Sequence, residues 1–563
     1  MSWEEDFRRN IARTRQRIRE IAPDMLDTRA NRCFAALSPP QSAKREGTEA
    51  RFLKQNVDPT VEPPGAPKDK TSKIDPLRPG PFPTCVSTPT LLEKLPVHVI
   101  AYAPGTQISP KVCTAATRDC PLVVLFHARG MGTTYLSYEK ICRHLASYGF
   151  VVVSVEWQDA EEMASQGTLL QLILEWINSG HLGLVKVLSD RLVLIGHSFG
   201  GSIVDRSVAV GQIKNTGFKL STVVLMSPSG VSAMSQTYTD TALDALLVLH
   251  DVRDGDSTAN GGISGPVSPG AVVNSPILAY ERAGYPNGGN INSANPQFPK
   301  HFAYAHVLVP ASPETCPTPQ TGTHYYQDST FANGYIASFL LAYVRGYTAY
   351  KSFFRRQQSM TGIGSVAKIE GIPGIWHMHA EPSESALIDW ASPMAMASVK
   401  GADEFGPTSL PQGDEYGLNQ GQVFRVQFTR GTQCVVSISF APTAKLKEYE
   451  LISLGLCQSN VTGIDGLPSA TGALFGSISL VSTQNKQMFS VKLHEIGGPL
   501  WYHGCLQGRT VCMEERVIPL SRVATAVKLE SINQVVLQFD AFELLGQKAV
   551  VHIGNVKLIG KGP

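Results

Sequence analysis

The chain contains no apolar run long enough to cross a bilayer, so nothing in it predicts a transmembrane helix. Its opening stretch, MSWEEDFRRNIARTRQRIRE, lacks the apolar core of a secretion signal, and its acidic residues disfavour an organelle transit peptide. The formal net charge is only +2 in 563 residues, which gives no electrostatic case for nucleic acid or an anionic membrane as partner. We therefore expect a soluble protein of unknown compartment, cytoplasmic or exported with a signal outside this sequence.

Cysteine is also scarce, with ten residues, too few for a scaffold built on disulfides. CxxC pairs are absent, so no spacing predicts a zinc site, and no cluster of acidic loop residues indicates calcium. Cys113 and Cys120, like Cys505 and Cys512, lie seven apart in Gly/Thr-rich loops, a spacing that local disulfides can have, although free thiols are favoured. We expect no metal and no organic cofactor.

The length is too great for one hydrophobic core and predicts two or three domains. Residues 1–85 are interpreted as an N-terminal helix followed by an arm rich in proline and charge. Residues 86–358 contain short continuous apolar runs, such as Leu122–Phe126 and Leu192–Ile195, separated by helical patterns. This alternation predicts an α/β domain with a doubly wound, mostly parallel sheet buried on both faces, closed by a long helix over Phe331–Tyr350.

Beyond a Gly-rich joint near residues 362–374 the pattern changes. In QMFSVKLHEI and INQVVLQFDAF, apolar and polar residues alternate with a period of two, and similar stretches recur with turn residues between them. This pattern is typical of antiparallel strands with one buried face. Residues 365–563 are therefore predicted to form an antiparallel, all-β sandwich.

The stretch RLVLIGHSFGG places Ser198 between glycines at the end of a buried strand and before a helical stretch. A serine on such a sharp turn has its hydroxyl exposed at the edge of the sheet, and glycine neighbours let the backbone pass closely. A hydroxyl becomes a nucleophile when a base takes its proton and a carboxylate orients that base. Ser198 is therefore the candidate nucleophile.

Candidates for the acid and the base follow in the sequence. The run LLVLHDVRDGDST ends in three aspartates, of which Asp254 is favoured, with Asp256 and then Asp251 as alternatives. The histidine candidates are His301, His306, His324, His377 and His379. His324 is favoured because it lies in a loop just before the closing helix, which keeps the order Ser, Asp, His along the chain.

The reaction of a serine nucleophile also needs N–H donors for the negative charge that develops on the carbonyl oxygen. The backbone N–H of Phe199 directly follows the candidate nucleophile. The second donor is expected in the loop LFHARGMGTTY, where Arg129 is favoured, with Gly130 or Met131 as alternatives.

The stretches LVVLFHARGMGTTYLSYEKICRHLASYGFVVVSVEWQDA, GHSFGG, LHDVRDGD and GTHYYQ resemble the α/β-hydrolase superfamily over about residues 95–355. The nearest branch contains platelet-activating-factor acetylhydrolases, chlorophyllases and cutinase-like polyester hydrolases. The resemblance implies a serine esterase in which Ser198 is the nucleophile, Asp254 the acid and His324 the base, with the N–H groups of Arg129 and Phe199 as oxyanion donors. The family's His-Gly after the third strand is here His127-Ala128, and residues 257–299 form an insertion that is a candidate lid.

The expected function is hydrolysis of a small-molecule or polymeric carboxylic ester through an acyl-enzyme. Alternatives are acyl transfer to an alcohol, a peptidase or thioesterase, and an inactive hydrolase scaffold that binds a carbohydrate or polymer. The last alternative draws on the C-terminal stretch, which is similar to galactose-binding-like jelly-roll modules; this resemblance implies a jelly-roll-like sandwich that binds carbohydrate. There Trp501 and Tyr502 are candidates for stacking on a sugar.

Overall fold

In the computed structural model the chain divides into two units, residues 1–49 and residues 50–563. Every described residue belongs to the second unit. The predicted N-terminal helix and nearly all of the arm lie outside the described residues. The structure describes residues 75–87, 89–92, 97–109, 112–115, 120–128, 135–157, 168–182, 187–228, 243–251, 280, 283, 296–305, 330–355, 368–369, 372–373, 375–380, 382–388, 396–409, 422–429, 431–441, 444–459, 473–496, 500–501, 514–540 and 548–560.

The first part of the described chain contributes ten strands to a mixed sheet. They are β1 (Thr84–Val86), β2 (Thr90–Leu91), β3 (His98–Ser109), β4 (Val112–Ala115), β5 (Cys120–Phe126), β6 (Val151–Glu156), β7 (Val187–His197), β8 (Leu220–Met226), β9 (Ala245–Asp251) and β10 (Lys300–Ala305). A short pair, β11 (Lys368–Ile369) and β12 (Ile372–Pro373), precedes β13 (Ile375–Ala380). β13 joins the mixed sheet beside β10 as its eleventh strand.

The order of the strands creates a reversal at β5. The main path runs β1-β3-β6-β5-β7-β8-β9-β10-β13. The neighbours from β6 to β10 are parallel, whereas β3 and β13 pair antiparallel at the two sides. The chain thus passes from β5 to β6 on one side and then to β7 on the other, and a crevice forms at the carboxyl ends of strands where such a reversal occurs.

Side chains on both faces of the central strands are buried. Every residue of β5 and β8 is buried, which confirms the prediction made from their continuous apolar runs. The helices of this region are α1 (Glu139–Ser147), α2 (Leu169–Trp176), α3 (Phe199–Ala209), α4 (Thr330–Tyr343) and α5 (Thr348–Phe354). Residues of α1, α4 and α5 share one core with alternate residues of the strands, for example Leu145 and Leu340 with Val193.

The single closing helix expected over Phe331–Tyr350 is wrong in one respect. The helix ends at Tyr343 and a second one begins at Thr348. Between them Gly346 has φ 76°, a left-handed conformation that a continuing α-helix does not allow and that glycine adopts at little cost.

The favoured expectation of thiols rather than disulfides is confirmed at Cys120. This residue lies buried inside β5 and is not disulfide-bonded, so it does not pair with Cys113. Cys142, Cys434 and Cys457 are likewise buried thiols, whereas Cys85 is disulfide-bonded. Cys505 and Cys512 lie outside the described residues.

Antiparallel strands form the last part of the chain. They are β14 (Glu384–Ile388), β15 (Met396–Lys400), β16 (Glu404–Ser409), β17 (Gln422–Thr429), β18 (Gln433–Ser439), β19 (Tyr449–Ser459), β20 (Ala473–Ser482), β21 (Gln487–Lys492), β22 (Leu500–Trp501), β23 (Glu514–Pro519), β24 (Gln534–Asp540) and β25 (Lys548–Gly560), and the short α-helix α6 (Leu520–Val523) lies between β23 and β24. One sheet has the order β16-β17-β25-β19-β23 with β14 beside β25. The other has the order β15-β18-β24-β20-β21 with β22 beside β20.

Both of these sheets contribute to one hydrophobic core. Alternate residues of β24 are buried, as the period of two predicts. Leu537 of β24 and Val436 of β18 belong to the same core as Val426 of β17 and Val551 of β25, which lie in the other sheet.

Strand pairing and side-chain contacts, in addition to the polypeptide chain, connect the two regions. β13 follows the Gly-rich joint yet completes the first sheet. Just after α5, the Arg355 guanidinium pairs with Glu450 at 2.9 Å and donates to the Gly560 carbonyl at 2.6 Å. The side chain of Arg355 thus joins the end of α5 to β19 and β25.

Candidate active site

Ser198 occupies a strained turn between β7 and α3. Its φ and ψ are 53° and −120°, a conformation that serine rarely adopts and that costs on the order of 1–3 kcal/mol. Hydrogen bonds hold the turn on both sides: the Ser198 N–H donates to the Met226 carbonyl, and the Gly201 N–H donates to the Ser198 carbonyl, both at 2.9 Å. The sharp strand-to-helix turn expected from the glycine-flanked serine is therefore present.

Two glycines make this turn possible because there is no space for their side chains. A Cβ atom on Gly196 would lie 2.4 Å from the Gly200 carbonyl oxygen. A Cβ on Gly200 would lie 2.5 Å from the Phe126 carbonyl oxygen and 2.6 Å from that of His127. α3 therefore begins pressed against the end of β5, and both glycines are required by the close approach of backbone to backbone.

The turn lies at the carboxyl edge of the parallel strands. His197 pairs with Met226, Met226 with Leu249, and Leu249 with Ala303. Ser198 follows this level directly. Asp251 ends β9 two residues beyond the same level and is the last described residue before Asp254 in the sequence.

Most of the predicted partners of Ser198 lie outside the described residues. These are Asp254, His324 and Arg129, together with the alternatives Asp256, His306, Gly130 and Met131. Their roles therefore remain predictions. Only the backbone of Asp251, His377 and His379 is described, and it places the two histidines in β13.

His301 is a core residue in this structure. Its side chain is fully buried, and Nε2 lies 2.7 Å from the hydroxyl of Tyr343. Its ring packs against Phe339 and Phe354 with centroids 5.6 and 5.4 Å away. This alternative base is therefore held in the interior on the helix side of the sheet.

Phe199 is the first residue of α3, and its backbone N–H lies at the N-terminal end of the helix, where partial positive charge favours an anion. Its ring stacks on Trp157, with centroids 5.3 Å apart and planes 24° apart. The Trp157 indole N–H in turn donates to the His127 carbonyl at 2.7 Å. The segment after β6 is thus packed against both the start of α3 and the end of β5.

A buried polar cluster connects the strand ends around Ser198, and sequence reasoning missed it. The Tyr138 hydroxyl lies 2.7 Å from Nδ1 of His197 and 2.8 Å from the Ala128 backbone N, which donates to it. The Tyr138 ring stacks on His127 at 4.1 Å, and His127 Nε2 lies 2.6 Å from the hydroxyl of Ser154. Histidines at the ends of two neighbouring strands were visible in the sequence, but nothing there indicated that Tyr138 joins them.

Burial keeps the two histidines of this cluster neutral. Removal from water lowers the pKa of His197 to about 3. The pKa of His127 is also lowered to about 3, by burial first and by the nearby His197 second. Both imidazoles are therefore uncharged at neutral pH and act as hydrogen-bonding groups.

Comparison with known families identifies part of the chain. Residues 100–243 match the model of the chlorophyllase family. This span begins within β3, contains β4 to β8 and Ser198, and ends before β9. The family is α/β-hydrolase-like and suggests an ester hydrolase of the serine-hydrolase type. No curated protein matches the chain.

The match confirms the α/β-hydrolase resemblance for this span and leaves the C-terminal similarity a prediction. Carbohydrate binding has no support from the comparison. Among the residues that the structure describes, no group of histidine, cysteine or acidic side chains is placed to hold a metal, and no helix is long and apolar enough to cross a membrane.

Proposed function

We propose that the protein is a serine hydrolase that cleaves carboxylic esters, with Ser198 as its nucleophile. The observation that carries the proposal is the strained turn at Ser198, at the carboxyl edge of the parallel strands and inside the span that matches chlorophyllases. Strained backbone in a non-glycine residue persists where the surrounding structure fixes it, and such strain clusters at active sites. The two close backbone contacts at Gly196 and Gly200 supply that fixation here.

In the proposed reaction, the Ser198 hydroxyl attacks the acyl carbon while His324 takes its proton and Asp254 orients the imidazole. The carbonyl π electrons move to oxygen and form an oxyanion. Collapse of this intermediate expels the alcohol, which receives the proton from His324, and water then hydrolyses the acyl-enzyme by the same steps. No metal or organic cofactor takes part.

The oxyanion donors are proposed to be the N–H groups of Phe199 and Arg129. The N–H of Ala128 already donates to Tyr138, so the next N–H along the loop after β5 belongs to Arg129. Two donors from separate segments, α3 and this loop, could then converge on one oxygen.

We further propose that residues 86–358 form the catalytic domain and that residues 365–563 form a β-sandwich of the jelly-roll kind. The shared core of the two antiparallel sheets supports this division. The pairing of β13 with β10 means that the second domain would contribute a strand to the first.

A panel of p-nitrophenyl esters of increasing acyl length tests the reaction. Ser198→Ala should lower kcat/KM by more than about 10⁴-fold, since a serine nucleophile acts as a unit with its base. Ser479→Ala is a matched control because Ser479 lies on β20 in the C-terminal region, where its hydroxyl donates to the Ser490 hydroxyl at 2.9 Å. A wild-type protein that is folded and inactive on every ester would contradict the proposal.

The same panel distinguishes the predicted partners. His324→Ala and Asp254→Asn should each remove most of the activity, whereas the corresponding changes at Asp251 and Asp256 should not. Addition of a competing alcohol, with analysis of the products, shows whether the acyl group passes to water or to the alcohol.

A further inference from the structure

The hydroxyl of Tyr138 lies between two segments that meet at the proposed active site. On one side, at 2.8 Å, is the backbone N–H of Ala128, the last described residue before the proposed oxyanion loop, residues 129–134. On the other, at 2.7 Å, is Nδ1 of His197, the residue directly before Ser198. Ala128 and His197 lie close together because β5 and β7, at whose carboxyl ends they stand, are neighbouring parallel strands.

One of these two hydrogen bonds has a fixed direction, and the direction of the other depends on the tautomer of His197. The Ala128 N–H can only donate, so the Tyr138 oxygen accepts it. The hydroxyl proton is then available to Nδ1 of His197, which accepts it if the other ring nitrogen carries the imidazole proton. Burial lowers the pKa of His197 to about 3, so the imidazole stays neutral near neutral pH.

The tyrosine itself has little freedom to move. Its side chain is fully buried, and its ring lies nearly parallel to that of His127, with planes 17° apart. His127 is held by the hydroxyl of Ser154 on β6. The chain of contacts thus runs through the ends of β5, β6 and β7 before it reaches Ser198.

We propose that Tyr138 is a positioning residue for the ester hydrolysis proposed above, which fixes the start of the oxyanion loop relative to the nucleophile. The inference rests on that proposed function. One oxyanion donor would lie just after Ala128 and the other just after Ser198, so the Tyr138 hydroxyl spans the two segments whose separation sets the width of the oxyanion hole. This positioning by Tyr138 stabilises the transition state, in which negative charge develops on the carbonyl oxygen of the substrate.

Tyr138→Phe removes the hydroxyl and keeps the ring. The number of active sites is titrated with a fluorophosphonate, and kcat is expressed per titrated site. We expect this kcat to fall about 10- to 100-fold, while KM stays within twofold of wild type. The reason is that a displaced oxyanion donor weakens binding of the transition state more than binding of the substrate. A trifluoromethyl ketone adds the serine oxygen and becomes a tetrahedral oxyanion. Its inhibition constant should rise by the same factor, while that of the related uncharged alcohol should not change.

Tyr148→Phe is the matched control. Tyr148 is also a buried tyrosine beside α1, and its hydroxyl donates to the carbonyls of Asp75 and Arg78 at 3.0 and 2.7 Å. Its loss should lower the melting temperature without changing kcat. If both variants lower kcat equally, or if Tyr138→Phe turns over within twofold of wild type, the positioning role is wrong.

A second pair of variants decides the matter if Tyr138→Phe does not fold. The amide oxygen of an asparagine at position 197 stands near the place of Nδ1 and can accept the Tyr138 proton, whereas leucine cannot. His197→Leu should therefore lower kcat clearly more than His197→Asn, and equal effects would contradict the inference. A folded wild type without esterase activity would instead defeat the proposed function, and the inference with it.

Discussion

The mixed sheet and the two antiparallel sheets bury polar side chains in different ways. In the mixed sheet, His127 and His197 lie at the ends of parallel strands and belong to one hydrogen-bonded cluster. In the antiparallel sheets, the Ser453 hydroxyl donates to the Glu515 carboxylate, so these two buried side chains pair across neighbouring strands. The carboxyl ends of parallel strands meet at one edge, but neighbouring antiparallel strands end at opposite edges. Convergent polar groups are therefore easier to build in the first region.

The same contrast extends to glycine. Gly200 makes space for the turn that holds Ser198, while Gly476 in β20 makes space for a neighbouring strand. Both positions are too crowded for a side chain, yet only the first lies beside the proposed nucleophile. Crowding alone thus does not distinguish a functional glycine from a structural one.

The largest difference between the two regions is expected when each of these two glycines is replaced by alanine. In Gly200→Ala the new Cβ would lie 2.5 Å from the Phe126 carbonyl oxygen, so the start of α3 must move and kcat should fall more than about 100-fold. In Gly476→Ala the Cβ would lie 2.1 Å from the Gln538 carbonyl oxygen. This should lower the free energy of unfolding by about 1–3 kcal/mol with kcat per titrated site unchanged. Esterase assays and urea unfolding of both variants measure the two effects.

Equal loss of kcat in the two variants would break the comparison, since it would mean that the antiparallel sheets control the site as directly as β5 does. Loss of stability without loss of kcat in Gly200→Ala would mean that the turn at Ser198 does not serve catalysis.

A further effect, on the free energy of unfolding, is expected from acid. Burial lowers the pKa of His127, His197 and His250 in the first region from 6.5 to about 3. The unfolded chain therefore binds protons below about pH 6.5 that the folded protein does not bind until about pH 3. The free energy of unfolding should be insensitive to these groups above pH 6.5 and fall as the pH drops, by about 1.4 kcal/mol per pH unit for each histidine. Urea unfolding between pH 7 and pH 4.5 measures this slope.

The second region contributes one such group, since burial, with a smaller effect of Arg425, lowers the pKa of His552 to about 4. His552→Gln should thus remove only a minor part of the slope. A slope that disappears in this variant would place the acid-sensitive groups in the antiparallel sheets, opposite to the comparison above.

Much of the fold could be predicted because strong local signals agree with the tertiary structure. The buried strands β5 and β8 have continuous apolar runs, and β24 has an alternating one. The break between α4 and α5 was missed because one glycine within an apolar stretch does not show whether it ends a helix. Membership of β13 in the first sheet depends on a pairing across distant segments that periodicity cannot show.

The site was predictable to the extent that it depends on local chemistry. The turn at Ser198 follows from glycines that are adjacent in sequence, so the pattern itself carries the geometry. Tyr138 was not predictable in the same way, because its hydroxyl acts on residues 10 and 59 positions away. Such contacts depend on the crossing of α1 over the sheet rather than on any local pattern.

The central claim is that Ser198 is an activated nucleophile, and covalent labelling tests it most directly. The intact protein, treated with a fluorophosphonate probe and digested, should carry the label on the peptide that contains Ser198, and Ser198→Ala should abolish it. The phosphorus–fluorine bond breaks as the serine oxygen bonds to phosphorus, a step that needs the same base and oxyanion donors as ester cleavage. A folded protein that remains unlabelled, or one labelled only at another residue, would contradict the account.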